Sequence, residues 1–123
     1  MEYHWQTVIG QAPSKSNSYR IIFIDGHPSL KKTPATEAYE KSFFWQVGDY
    51  RNLKIKGAFE LYIRVFFSSM RNDLDNSLKA VLDCLQYTNT ISNDNQCCKI
   101  IAEKFVDKLS PRIEFKIVTI DDK

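Results

Sequence analysis

The stretch Arg71-Asn72-Asp73-Leu74-Asp75-Asn76-Ser77-Leu78-Lys79 sets two carboxylates two residues apart and a lysine one helical turn beyond the second. A hard divalent cation such as Mg2+ binds carboxylate oxygens and keeps water on its remaining positions. Such a cation lowers the pKa of a bound water and draws charge off a phosphodiester. An ammonium beside it can stabilise the pentavalent transition state or protonate the leaving oxygen. Asp73, Asp75 and Lys79 are the residue types that this chemistry needs. A third carboxylate has to come from a distant segment, and Asp94, at the end of a polar run and just ahead of an apolar one, is the best candidate. Three crowded carboxylates repel one another unless a cation neutralises them.

Taken singly, each of these residues has an ordinary explanation. Asp73 can simply cap a helix. Asp75 and Lys79 can form an exposed i,i+4 pair worth about 0.3–0.5 kcal/mol. Asp94, within Ser-Asn-Asp-Asn, can be a turn residue, and the basic residues at 31–32 and 51–56 can be solvated surface. The combination is what asks for a site.

The elements that must position these residues can be read from periodicity. Residues 59–67 alternate, with Phe59, Leu61, Ile63, Val65 and Phe67 on one face, as in a central strand covered by a helix on at least one side. From Leu74 to about Gln86, Leu74, Leu78, Val81, Leu82 and Leu85 form one apolar stripe. Asp73 falls at its N-cap, where the helix dipole favours a charged carboxylate. Thr33-Pro34 opens an earlier helix that fades by Val47-Gly48. Further strands are expected over 3–9, 19–24, 99–106 and 112–120, with His27 to Lys32 a connector and the last two strands paired as an antiparallel hairpin. If the strand after Asp94 lies beside the strand ending near Ser68, Asp94 reaches the same edge of the sheet as Asp73. The order predicts an α+β fold: a single domain over 1–123 with a mixed sheet of about five strands and two main helices.

Composition narrows the function classes. With 43% hydrophobic and 26% charged residues and eight Phe, the chain can build a core and is not a disordered segment. A net charge of +2 is too weak by itself to establish a nucleic-acid partner. Cys84, Cys97 and Cys98 are odd in number and two are adjacent, which argues against a disulfide framework and for a reducing compartment. Two histidines and no Cys-x-x-Cys spacing leave no structural zinc site in prospect. No secretory leader or membrane-length apolar run is visible, so an intracellular, non-membrane protein is expected. A Gly-rich phosphate loop, usual in nucleotide-binding phosphotransferases, is missing.

The run Asp73-Leu74-Asp75-Asn76-Ser77-Leu78-Lys79, followed by Asp94-Asn95-Gln96 with the third Asp 21 positions after the first (94 − 73), resembles the RusA-type Holliday junction resolvases. These endodeoxyribonucleases carry D-L-D-N-x-x-K and then D-x-Q at the start of a strand. Ala12-Pro13-Ser14-Lys15-Ser16-Asn17 with Tyr19-Arg20 looks like the family's N-terminal loop, Thr33-Pro34 leading to Tyr39 like the start of its first helix, and Lys104 like a lysine of the strand after D-x-Q. The chain departs from the pattern at Asn93, where many members have an acid, and at Thr90-Ile91-Ser92, where aromatic and glycine residues are common. The resemblance implies a homodimeric, Mg2+-dependent enzyme, with Mn2+ able to substitute, that nicks four-way DNA junctions in pairs during recombination and repair. It implies Asp73, Asp75 and Asp94 as metal-binding catalytic carboxylates, Lys79 as the catalytic lysine, and a cytoplasmic location in a bacterial cell, host- or phage-encoded. Position suggests Lys15, Arg20, Lys31, Lys32, Arg71 and Lys104 as DNA contacts. The rival of another class is a branched-DNA-binding protein that does not cut.

Overall fold

The computed structural model describes residues 1–14 and 18–120. In chain order it contains β1 (Gln6–Ile9), β2 (Tyr19–Ile24), β3 (His27–Lys32), α1 (Pro34–Gln46), β4 (Phe59–Phe67), α2 (Leu74–Tyr87), β5 (Cys97–Val106) and β6 (Arg112–Thr119). Four strands form a mixed sheet in the order β1-β6-β4-β5, and β2 and β3 form a separate two-stranded sheet. This is the expected α+β domain with two main helices.

Strand β4 is hydrogen-bonded on both edges, parallel to β5 and antiparallel to β6. Its five odd-numbered residues are buried and its four even-numbered ones half-buried. The buried face joins Ile113, Phe115 and Ile117 of β6, Phe43 and Tyr39 of α1, and Val81, Cys84 and Leu85 of α2 in one core. The opposite face carries charged residues lying over rings: Arg64 over Trp5 at 4.1 Å and Arg112 over Phe66 at 3.8 Å. Such contacts keep long cationic side chains on an apolar surface with their heads in water.

Both helices begin as their sequences direct. Thr33 caps α1, its Oγ1 accepting from the Thr36 N–H at 3.3 Å, and Pro34 occupies the first helical position. The α2 stripe turns Val81, Cys84 and Leu85 inward.

Two expectations fail. The last two strands do not pair with each other, because β4 lies between them. The connection 107–111 passes over the end of β4, where the Asp107 N–H donates to the Phe67 carbonyl at 2.8 Å. Arg112 binds Asp107 at 2.9 Å, and the Asp107 carboxylate also accepts from the Leu109 and Ser110 N–H groups. Residues 27–32 are not a connector but strand β3, paired antiparallel with β2 through the tight turn at Asp25-Gly26. Pro28 is tolerated because a two-stranded ribbon leaves one edge of each strand unpaired.

The first strand is also shorter than its alternation suggests. It is regular only from Gln6, although Glu2 bridges to Val118 and the Tyr3 N–H donates to the Ile117 carbonyl. In the gap the buried Tyr50 hydroxyl donates to the His4 carbonyl at 2.8 Å and accepts from the Ile117 N–H at 3.2 Å. Burial pushes the Tyr50 pKa up to about 12, so the hydroxyl stays protonated. Tyr50→Phe removes the partner of a buried N–H and is expected to lower stability by about 1–3 kcal/mol. Urea unfolding of the two proteins measures this, and equal midpoints would contradict the bridging role.

Candidate active site

Asp73 and Asp75 stand where β4 gives way to α2. Asp73 holds the N-cap position with extended backbone, but its side chain makes no capping hydrogen bond to the helix. Its Oδ2 accepts instead from Asn76 Nδ2 at 3.2 Å. Asp75 lies in the first turn of α2 and is exposed. Its carboxylate has no hydrogen-bond or ion-pair partner among the described residues. Two carboxylates near one helix N-terminus are thus left without a cationic partner among the described residues.

Lys79 turns away from Asp75. Its ammonium binds Asp94 Oδ2 at 2.7 Å and Asp83 Oδ1 at 3.0 Å. The hydrogen bond to Asp94, followed by that to Asp83, raises the Lys79 pKa, so the amine is a fixed cation. The i,i+4 pair on this helix is therefore Lys79 with Asp83. The signal for Asp83 in the sequence is its i,i+4 spacing from Lys79.

Asp94 arrives from the far end of the sheet. Because β5 runs parallel to β4, its first residue, Cys97, lies beside Phe59, the start of β4, and not beside the exit at Ser68. The expected shared edge with Asp73 is therefore not formed. Asp94 meets α2 further along its length, at Lys79 and Gln86. Among the described residues no three His, Cys, Asp or Glu side chains lie close enough to hold a metal ion. What the fold brings together is Lys79 with Asp94; Asp75 lies one turn back along the same helix, about 6 Å on a 1.5 Å rise per residue. The donor chemistry suits a hard cation, since the set consists of carboxylates and two of the three have no cationic partner among the described residues.

The loop that presents Asp94 is closely held. Residues Asp94–Gln96 form a 3-10 turn that begins with a reciprocal cap between Asn93 and Gln96. Gln96 Oε1 accepts from the Ser92 and Asn93 N–H groups at 2.8 and 2.9 Å, while its Nε2 donates to the Ile55 and Gly57 carbonyls at 3.0 and 2.9 Å. Gln86 Oε1 accepts from the Asp94 N–H at 2.8 Å. One amide side chain therefore ties four backbone groups, and a second fixes the backbone of Asp94 itself. The motif glutamine is explained by this geometry. Nothing in the sequence marks Gln86 beyond its place at the end of the helical stripe.

The candidate DNA contacts are scattered. Lys15 lies outside the described residues. Arg20 and Lys31 sit directly opposite each other on β2 and β3, both exposed. Like charges so placed repel unless an anion lies between or near them. Lys32 is engaged elsewhere: it binds buried Glu40 at 2.8 Å and lies over the Tyr87 ring. Lys104 donates to the Met70 carbonyl at 2.8 Å, tying edge strand β5 to the loop that leads to Asp73. Arg71 is exposed in that same loop.

The model of the endodeoxyribonuclease RusA family matches residues 25–118 of the 123. The chain belongs to the RusA endodeoxyribonuclease family. The matched stretch contains Asp73, Asp75, Lys79, Asp94 and Lys104, but not the loop at 12–17. No curated protein matches the chain. RusA endodeoxyribonucleases hydrolyse DNA phosphodiester bonds and act on branched junctions, and nucleases of this family are generally dependent on divalent metal. No described helix is long and apolar enough to cross a membrane.

Gln96→Ala removes four hydrogen bonds from the Asp94 loop. It is expected to lower stability by about 1 kcal/mol, since the four backbone groups lose their partner but three of these bonds are exposed to water, which can replace it. It should also raise amide hydrogen exchange at Ser92–Asp94 while leaving β4 protected. Unchanged exchange in that loop would show that the glutamine does not hold it.

Proposed function

We propose that the protein is a divalent-metal-dependent endonuclease that resolves four-way DNA junctions by paired symmetric nicks, acting as a homodimer in recombination and repair. The observation that carries this reading is the pairing of Lys79 with Asp94 on the helix whose start carries Asp73 and Asp75, two carboxylates with no cationic partner among the described residues. In a protein of this family that grouping is the natural seat of the reaction.

Asp73, Asp75 and Asp94 would hold the ion, with Mg2+ the first candidate and Mn2+ able to replace it. When bound, it supplies a more acidic water and a positive charge near the scissile phosphate. The residues of the chain do the rest. Two carboxylates already keep the Lys79 ammonium charged. Asp83 remains its partner if Asp94 turns to the ion, so the cation stays at hand for charge developing on the phosphate or for the leaving oxygen. Gln86 and Gln96 fix the backbone from which Asp94 acts. Arg20, Lys31 and Arg71, all exposed, are proposed to take backbone phosphates, with Lys15, Lys32 and Lys104 as further candidates. The reading places the protein in the cytoplasm of a bacterial cell.

Purified protein is expected to nick a synthetic four-way junction in opposed strands when Mg2+ or Mn2+ is present. Asp75→Asn should cut at least ~100-fold more slowly while binding the junction as before. Wild-type protein that binds junctions but cuts them in neither metal would favour the non-cleaving binder instead. Junction affinity should fall steeply with added salt, with a log–log slope of about −0.9 for each phosphate contacted. Salt-independent binding would contradict the proposed basic contacts.

A further inference from the structure

Two segments distant in sequence, residues 51–56 and 86–92, lie side by side at the C-terminal end of α2. Their backbones hold them together. The N–H groups of Asn52, Lys54 and Ile55 donate to the carbonyls of Thr88, Asn89 and Thr90, each at 2.9 Å, and Ile55 forms a parallel bridge with Ile91. An open polar groove of about 340 Å3 runs along this seam, lined by Lys54, Lys56, Gln86, Asn89, Ile91 and Ser92. Its size is near the lower end of ordinary ligand sites, roughly 300 Å3.

The charge of the groove is one-sided. It is lined by two lysines and no carboxylate. Both lysines are exposed, and their ammonium groups have no partner among the described residues. Lys32, Lys79, Lys104 and Lys116 differ in this respect, since each binds an acid or a carbonyl. The two acids that stand close by along the chain, Asp83 and Asp94, are both taken by Lys79. The backbone of Lys54 is unusual as well. Its φ is +53°, a value that residues other than Gly, Asn and Asp seldom adopt. Such strain persists where the surroundings over-determine it, here through the bonds of Lys54 and Ile55 to the second segment, and it clusters at binding sites.

The groove is also tied to the candidate site. Gln86, one of its walls, accepts from the Asp94 N–H, and its Nε2 has no acceptor among the described residues. Gln96, which holds the Asp94 loop, donates to the carbonyls of Ile55 and Gly57, on either side of Lys56. The same amide therefore sets the backbone of Asp94 and that of Lys56. Lys79 and Gln86 are seven residues apart (86 − 79), which places them on one face of α2 and about 10 Å from each other along its axis. At about 3.4 Å of axis per step of one DNA strand, that distance spans about three nucleotides.

We infer that Lys54 and Lys56 bind a backbone phosphate of the DNA strand about three nucleotides from the bond that is cut. Held there, the phosphate fixes which bond of the strand faces Lys79 and Asp94. Two free cations and an amide N–H suit a phosphate, which accepts hydrogen bonds and carries charge.

This site deepens the nuclease reading above and rests on it. The test compares wild type with Lys54→Gln/Lys56→Gln in binding a labelled four-way junction, without divalent metal, from roughly 50 to 200 mM salt. The log–log salt slope of the variant is expected to be shallower by about 1, the loss of one phosphate contact. Lys54→Arg/Lys56→Arg keeps both charges and should restore the wild-type slope. In the second arm a single uncharged methylphosphonate is moved along the strand in place of successive phosphates. One position about three nucleotides from the nick should weaken wild-type binding and leave the glutamine variant unaffected, as expected when both changes remove one contact. An unchanged slope in the glutamine variant overturns the site. So does a methylphosphonate penalty that persists in that variant at every position, or an arginine variant that keeps the shallow slope. Wild type that binds junctions and cuts them in neither Mg2+ nor Mn2+ overturns the nuclease reading and the stated distance from the cut, while the salt slopes still decide whether Lys54 and Lys56 hold a phosphate. Wild type that binds no junction overturns both.

Discussion

The nine residues Phe59–Phe67 dictate where nearly everything else can go. A strand whose alternate side chains are all large and apolar must bury that face. A strand inside a sheet must also find hydrogen-bond partners on two edges. Strand β4 meets the first demand with α1 and α2 and the second with β5 and β6. The parallel partner can be reached only by a crossover, which is α2, so the helix that carries Asp75 and Lys79 exists because β4 needs β5. The Asp94 loop is the last piece of that crossover. The position of the candidate site thus follows from the pairing of one strand.

What could be read beforehand is what local physics controls. The Thr33-Pro34 start, the α2 stripe and the alternation of β4 each rest on interactions within a few residues, and each reappears in the fold. What could not be read depends on distant partners. Two strands joined by five residues look like a hairpin, and nothing in 97–119 reports that β4 inserts between them. Pro28 and a pair of lysines disguised β3, although an edge strand tolerates both. The N-terminal alternation concealed the place where Tyr50, from another part of the chain, enters the ladder.

The candidate site divides along the same line. Its carboxylates and lysine were legible as a motif, and the family match covers them. Their arrangement was not. Asp73 occupies the capping position without capping, Lys79 turns to Asp83 and Asp94 in place of Asp75, and Asp94 lies at the opposite end of β4 from the exit to Asp73. Amide side chains such as Gln86 and Gln96 gave no signal of their own. Their work is to satisfy backbone groups that only the folded chain brings near.

The pairing of β1 with β6 also bears on how the chain is made. Gln6 faces Phe115, so the first strand has no partner until nearly all of the sequence has been synthesised. At about 5–20 residues per second that is a wait on the order of ten seconds, while a β-hairpin closes in microseconds. The β2–β3 ribbon can form almost at once; β1 emerges as an orphan edge, open to pairing with another nascent chain. Its length of four residues, two of them the polar Gln6 and Thr7, makes it a poor template for such mispairing.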